Sequence, residues 1–204
     1  SNSIRIDSTN INFKKQRINC NSSGTSARLL CGYLTGANVE TKILGSRGLA
    51  ARPMDRVVVP LNSFGGNIKS TGSGLPIYIT PSSKLRSFYY NLKIPSAQVK
   101  SCLIFYAMFM GGISSISGEI HTRDHLENLL SYFHYPINYK NGTINIQGNQ
   151  QRMFKNLNIK LAGDISSASF IIAGAILLKG SSIKLKNICF NKYRTGFIKK
   201  IIEM

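Results

Sequence analysis

An α/β fold built from repeated strand and helix units is what this sequence predicts, and three observations support it. Hydrophobic periodicity alternates along the chain between the period of a strand and that of a helix. A helix opens near Ser23, Ser96 and Ser166, at steps of 73 and 70 residues, and steps of that size mark repeated supersecondary units. A second helix in each unit is introduced by an arginine, Arg52, Arg123 or Arg194, lying 29, 27 and 28 residues beyond those serines.

Taken in order, helices are predicted over 25–34, 53–64, 97–110, 124–133, 166–178 and 195–202. Strands are predicted over 39–44, 77–80, 88–92, 115–120, 137–140, 143–147, 157–161 and 183–188. Asn141-Gly142 reads as a two-residue hairpin turn between two of these strands, since both residues accept the positive φ such turns need. Within a unit the order is strand, helix, strand, helix, then a strand pair. The opening strand of the first unit is weakly marked around 17–20, and the third unit stops after its second helix. The two helix types differ. Segments 28–34, 101–110 and 170–178 are apolar nearly all round, which places them in the interior. Segment 124–133 gathers Leu126, Leu129, Leu130 and Phe133 on one stripe, with Asp124, Glu127 and Asn128 elsewhere, as a half-exposed helix does.

The composition of the 204 residues, 43% of them hydrophobic, suits one domain with a sizeable core. The longest apolar runs, 102–110 and 170–178, fall well short of the roughly 20 residues that cross a bilayer. No secretory pattern opens the sequence, so a cytoplasmic location is expected and no membrane partner is. Cys20, Cys31, Cys102 and Cys189 lie far apart with no C-x-x-C pair, and are expected to be small buried hydrophobes. The 26 basic residues outnumber 8 acidic ones, for a net charge of +18, which invites a polyanion. The charges are nevertheless scattered apart from Lys14-Lys15-Gln16-Arg17 and Lys199-Lys200. No basic stripe is interleaved with aromatics, so nucleic acid is not the expected partner.

Three repeated interior helices would aim their N-termini the same way around a pseudo-threefold axis. Each end offers unpaired N–H groups and the positive pole of a helix dipole, beside hydroxyl caps at Ser22 or Ser23, Ser96, and Ser166 or Ser167. One face becomes an anion platform. The arginines heading the second helices add bidentate donors suited to phosphate or carboxylate. Serines that are only caps and arginines that are only surface charges fit the spacing equally well. Lys100, one turn into a mostly apolar helix, either snorkels to an edge or supports an anion. His121 and His125 stand four apart with Asp124 and Glu127 nearby, but His121 precedes the helix and the set is incomplete, so no metal and no cofactor is expected. No nucleophile, Walker or dinucleotide motif is present.

Five stretches, in order and spacing, resemble the 5-enolpyruvylshikimate-3-phosphate synthases, or 3-phosphoshikimate 1-carboxyvinyltransferases. They are Ser23-Gly24-Thr25-Ser26-Ala27-Arg28-Leu29-Leu30; Arg52-Pro53-Met54 with Arg56-Val57 and Pro60-Leu61; Ser96-Ala97-Gln98-Val99-Lys100-Ser101; Thr122-Arg123-Asp124-His125 with Glu127; and Gly163-Asp164-Ile165-Ser166-Ser167-Ala168. Asn191 with Arg194-Thr195-Gly196 resembles the family's interdomain crossing segment. The resemblance implies an inside-out α/β fold of βαβαββ units with helices buried and sheets outside, incomplete here. It divides the chain into a substrate-binding domain over 1–190 lacking its first segment, and a crossing segment with the start of a second domain over 191–204.

It further implies that Gly24, Thr25 through its backbone, Arg52 and Gln98 receive phosphoenolpyruvate, and that Ser96, Ala97, Gln98, Thr122 and Arg123 hold shikimate-3-phosphate. Glycine at 24 suits close backbone approach to a phosphate. The family's usual Gly-Asn-Ser-Gly-Thr reads Asn21-Ser22-Ser23-Gly24-Thr25, the usual serine before Arg-Asp-His is Thr122, and the following threonine is Leu126. The family's N-terminal Gly-Ser-Lys-Ser segment and its catalytic acidic and lysine residues have no counterpart, so the chain is expected to bind phosphate groups and to be inactive without the remainder of the enzyme, with no catalytic residue of its own. The alternatives are a basic non-catalytic binding module on the same fold, or a relative acting on a UDP-amino sugar, whose reactive loop cysteine has no convincing counterpart.

Overall fold

Local sequence sets the first unit. In the computed structural model, which describes residues 4–5, 15–149 and 158–204, the chain runs β1 (Gln16–Asn19), α1 (Gly24–Gly36), β2 (Thr41–Leu44), a short α2 (Arg47–Ala50), α3 (Asp55–Ser63), β3 (Asn67–Thr71) and β4 (Gly74–Thr80). Ser23 caps α1 by accepting from Ser26 N–H at 3.1 Å. The second unit repeats the order as β5 (Tyr89–Leu92), α4 (Ala97–Ala107), β6 (Ile113–Gly118), α5 (His125–Tyr132), β7 (Ile137–Lys140) and β8 (Thr143–Gln147). The weakly marked opening strand is β1. Asn141 and Gly142 both take positive φ, 51° and 71°, and close the β7–β8 hairpin as expected.

The two sheets have the same topology, β1-β2-β4-β3 and β5-β6-β8-β7, each with one parallel pair followed by antiparallel neighbours. Alternating burial along β4, β6 and β8 shows that each sheet turns one face to the core and the other to solvent. Between them lie α1 and α4, packed on each other along their length. Gly32 and Gly36 let the backbones meet, because a Cβ on Gly32 would strike the Cys102 carbonyl and one on Gly36 would come within 2.9 Å of Tyr106 O. Tyr106 then stitches the units together. Its hydroxyl lies 2.9 Å from Phe64 O and 3.1 Å from Arg86 O, while Phe64 and Phe88 stack at 4.1 Å.

The third unit departs from expectation. Its helices form, α6 (Ile165–Leu177) and α7 (Gly196–Glu203), but the strand predicted over 183–188 is irregular apart from one parallel bridge between Gly163 and Ile188. Of the strand predicted over 157–161, the first residue lies outside the described residues and the rest is irregular. The expectation that 170–178 is interior is overturned. Only Ile165 and Ala168 of α6 are buried, while Phe170 and Leu177 are 82% and 83% exposed. No layer among the described residues covers its remaining faces, so an all-apolar pattern does not secure burial there. Two features escaped prediction. β3 is polar and its hairpin is short, and α2 is a single turn. The cysteine reading holds for Cys20, Cys31 and Cys102, whereas Cys189 is half-buried, 3.7 Å from His125 Nε2. No described helix is long and apolar enough to cross a membrane.

Candidate functional site

The close approach of α1 and α4 brings two of the three repeated N-termini side by side. Gln98, in the first turn of α4, donates from Nε2 to Thr25 Oγ1 in the first turn of α1 at 2.8 Å. Ser96 caps α4 by accepting from Val99 N–H at 3.4 Å. The orphan N–H groups of both helices and the positive ends of both dipoles therefore share one surface.

Arginines crowd this junction. Arg28, one turn along α1, donates from Nη1 to Gln98 Oε1 at 3.1 Å and to Gly24 O at 3.3 Å, and from Nη2 to Pro53 O at 3.0 Å. A Cβ on Gly24 would fall 2.8 Å from Arg28 Nη1 and 3.7 Å from Arg52 Nη1, so both guanidiniums overhang the glycine. Burial first, then the like charges of Arg52 and Arg56, pull the Arg28 pKa below the usual guanidinium range. Among the described residues none of these three arginines has a carboxylate within ion-pair reach. Repelling cations held together with no counter-charge among the described residues favour the approach of an anion.

Gly24, Thr25, Arg52 and Gln98 thus come together. Arg28 is not among the expected site residues, and the sequence signal for it is a single charged residue, four positions after Gly24, in an otherwise uncharged helix. Ser96 and Ala97 belong to the same α4 terminus. Thr122 reaches it indirectly. Lys100 Nζ, in the second turn of α4, donates to Thr122 O at 3.3 Å and Ile120 O at 3.1 Å, and the Thr122 hydroxyl oxygen is buried with no hydrogen-bond partner. Lys100 is 1% exposed, so it does not snorkel. Ser22, which replaces the family asparagine, meets Ser46 Oγ at 3.2 Å.

The third N-terminus differs. Asp164, not Ser166 or Ser167, caps α6, accepting from Ser166 N–H at 3.1 Å and from Ser167 Oγ at 3.2 Å. That backbone bond, together with the Ser167 hydroxyl and Arg194 3.9 Å away, holds its carboxyl below the usual range. A carboxylate already occupies this helix end. Arg123 sits here with Arg194, whose charge adds to burial in lowering the Arg123 pKa while Asp164 opposes it. Asn191 Nδ2 donates to Asp124 Oδ1 at 2.6 Å and binds the segment before α7 to the start of α5. α6 does not pack on α1 or α4 as they pack on each other.

A family model described as EPSP synthase (3-phosphoshikimate 1-carboxyvinyltransferase) matches residues 2–204. The 3-phosphoshikimate 1-carboxyvinyltransferase of Clostridium tetani is 38% identical over 195 residues, covering 95% of this chain and 44% of that protein. That of Legionella pneumophila strain Corby is 38% identical over 187 residues, covering 92% and 43%. Among solved structures, EPSP synthase from Acinetobacter baumannii superposes with a TM-score of 0.80 at 33% identity, over 93% of this chain and 42% of that one. The chain spans under half the length of the curated relatives it matches.

Proposed function

Because the chain belongs to the EPSP synthase family, we propose that it forms the phosphate-holding part of an enzyme that moves the enolpyruvyl group of phosphoenolpyruvate onto the 5-hydroxyl of shikimate-3-phosphate. The observation that carries this reading is the junction of the α1 and α4 N-termini under Arg28, Arg52 and Arg56, three cations with no carboxylate partner among the described residues. Gly24 and the backbone at Thr25, with Arg52 and Gln98, take the phosphate end of phosphoenolpyruvate. Ser96, Ala97 and Gln98, with Thr122 and Arg123, take shikimate-3-phosphate.

In this reaction the 5-hydroxyl gives up its proton as its oxygen bonds to the central carbon of the enolpyruvyl group and the methylene gains a proton; the carbon–oxygen bond to phosphate then breaks as the resulting methyl group loses a proton, restoring the double bond. The residues of this chain contribute orientation of the two substrates and stabilisation of phosphate and developing negative charge. We assign the proton transfers to parts of the relatives that this chain does not span. Residues 1–190 form the substrate-binding domain, and 191–204 begin the crossing to a second domain.

The test is a titration of the isotopically labelled chain, followed by NMR, with shikimate-3-phosphate, phosphoenolpyruvate and a duplex oligonucleotide in turn. Shifts at Gly24, Gln98 and Thr122 with the two phosphorylated metabolites support the assignment. Salt-sensitive oligonucleotide binding without those shifts replaces it with a polyanion-binding function.

A further inference from the structure

Lys100 is the group that the binding scheme above leaves without work. An ammonium in the second turn of a buried, apolar helix is costly unless it is paired and hydrogen-bonded. Here it is both. Glu127 Oε1 of α5 lies 2.6 Å away with the side chain only 13% exposed, and no other polar group among the described residues bonds either carboxylate oxygen, so the ammonium is their counter-group. The remaining contacts are the carbonyls of Ile120 and Thr122. All three partners belong to the stretch from the end of β6 into α5.

That stretch has little structure of its own. Residues 119–124 hold no helix or strand; Glu119 N–H reaches Leu92 O of β5 at 2.8 Å, and beyond it the backbone bonds are two-residue loops, Ile120 N–H to Gly118 O and Thr122 N–H to Ile120 O, each 2.7 Å. The first unit solves the same connection differently. There α2 follows β2, capped by Ser46, and the residue four after the N-cap serine of α1, equivalent to Lys100, is Ala27, fully buried. Where the short helix is missing, the lysine is present. A cavity of about 300 Å³ flanks the loop, lined by Lys100, Thr122, Glu127, Asn138 and Tyr139 among others, so side-chain packing does not hold it from that side.

We propose that Lys100 is a positioning residue: its ammonium, clamped by Glu127, fixes the backbone of 120–122 and so holds Thr122 and Arg123 in register with Ser96 and Gln98 for the phosphate of shikimate-3-phosphate. The inference rests on the substrate assignment made above, but its first test does not. Two variants of the 204-residue chain serve, Lys100→Met, and Lys100→Met with Glu127→Leu, the second leaving no buried charge unpaired. Amide hydrogen exchange without ligand is expected to quicken roughly tenfold across 119–124 in both variants, equivalent to about 1.4 kcal/mol, with protection along α1 unchanged. Unchanged exchange in the double variant overturns the proposal.

The second measurement uses shikimate-3-phosphate and phosphoenolpyruvate as separate probes. The variants are expected to bind the former roughly tenfold more weakly and the latter within about twofold of the unmodified chain. Equal loss for both probes means general destabilisation and also overturns it. An unmodified chain that binds neither probe sinks the substrate assignment instead, and the exchange result still decides the role of Lys100 in the loop.

Discussion

Replacing Gly32 with alanine tests whether the α1–α4 contact builds the anion site. A Cβ at this position would collide with the Cys102 carbonyl oxygen and lie 2.8 Å from both its carbonyl carbon and Sγ. Carbon contacts are comfortable only from about 3.5 Å, so the two helices must separate by the better part of an ångström. Backbone cannot rotate away as a flexible side chain can. Overpacking of this kind costs about 1–3 kcal/mol. Against it stands a gain of about 0.5–1 kcal/mol for alanine over glycine in a helix. The expected net loss is about 1–2 kcal/mol, or roughly 2–8 °C in Tm for a chain of this size. Urea denaturation followed by circular dichroism measures it, with Gly174→Ala as the control. Gly174 also lies mid-helix, in α6, with nothing within 4 Å of an added Cβ, and its replacement should stabilise by about 0.5–1 kcal/mol. Separation of α1 from α4 also breaks the 2.8 Å bond between Gln98 and Thr25, so Gly32→Ala should weaken phosphoenolpyruvate binding as well. A Gly32→Ala chain as stable as its parent, binding normally, would refute the argument that close helix approach creates the site.

Further outcomes follow from single groups. Arg52→Ala should weaken phosphoenolpyruvate binding by roughly tenfold or more while leaving the denaturation midpoint nearly unchanged, since an exposed guanidinium without an ion-pair partner contributes little to folding; calorimetric titration reads the first and urea melts the second. Tyr106→Phe should cost about 1–3 kcal/mol, because the carbonyls of Phe64 and Arg86 lose the single hydroxyl donor they share and Arg86 N–H loses an acceptor, and a loss under about 0.5 kcal/mol in chemical denaturation would contradict the stitching role. Burial pushes the Cys31 thiol up to about 12 from 9.0, and Cys102 is raised in the same direction. A raised folded pKa favours the native state only while the thiol stays protonated. The contribution is thus complete below pH 9 and lost progressively toward pH 12, so the midpoint in urea should fall across that window. At pH 8, an alkylating reagent should label Cys189 well before Cys31 or Cys102, and prompt labelling of Cys31 would show that the helix pair opens easily.

Much of this architecture was legible from pattern. The repeat of serines and arginines located the first two units, the hairpin at Asn141-Gly142 formed where the dipeptide demanded it, and the buried helices α1 and α4 carried no polar face to mislead. β3 was not legible, because Asn67–Thr71 is largely polar and its place is set by pairing with β4. Asp164 took the α6 cap from the serines expected there because it stands two residues before Ser166 with its own acceptor oxygen in reach of that N–H. The failure at α6 has a different origin. Apolar composition states a preference for burial, and satisfying it requires a covering surface that the described residues do not provide.

By itself, the sequence determined most of the element order in the first two units, the apolar character of α1 and α4, and the hydroxyl and cationic groups near their N-termini, because periodicity, capping residues and charge are local properties written residue by residue. Only the tertiary structure decided that two helix ends meet, that Arg28 joins Arg52 and Arg56 there, and that Lys100 ties the Thr122 loop from beneath. Those facts depend on how closely two backbones approach at Gly32 and Gly36, and on an ion pair between residues 27 positions apart, Lys100 and Glu127. Distances across a packed interior are set by the sum of many contacts, and no local pattern contains that sum.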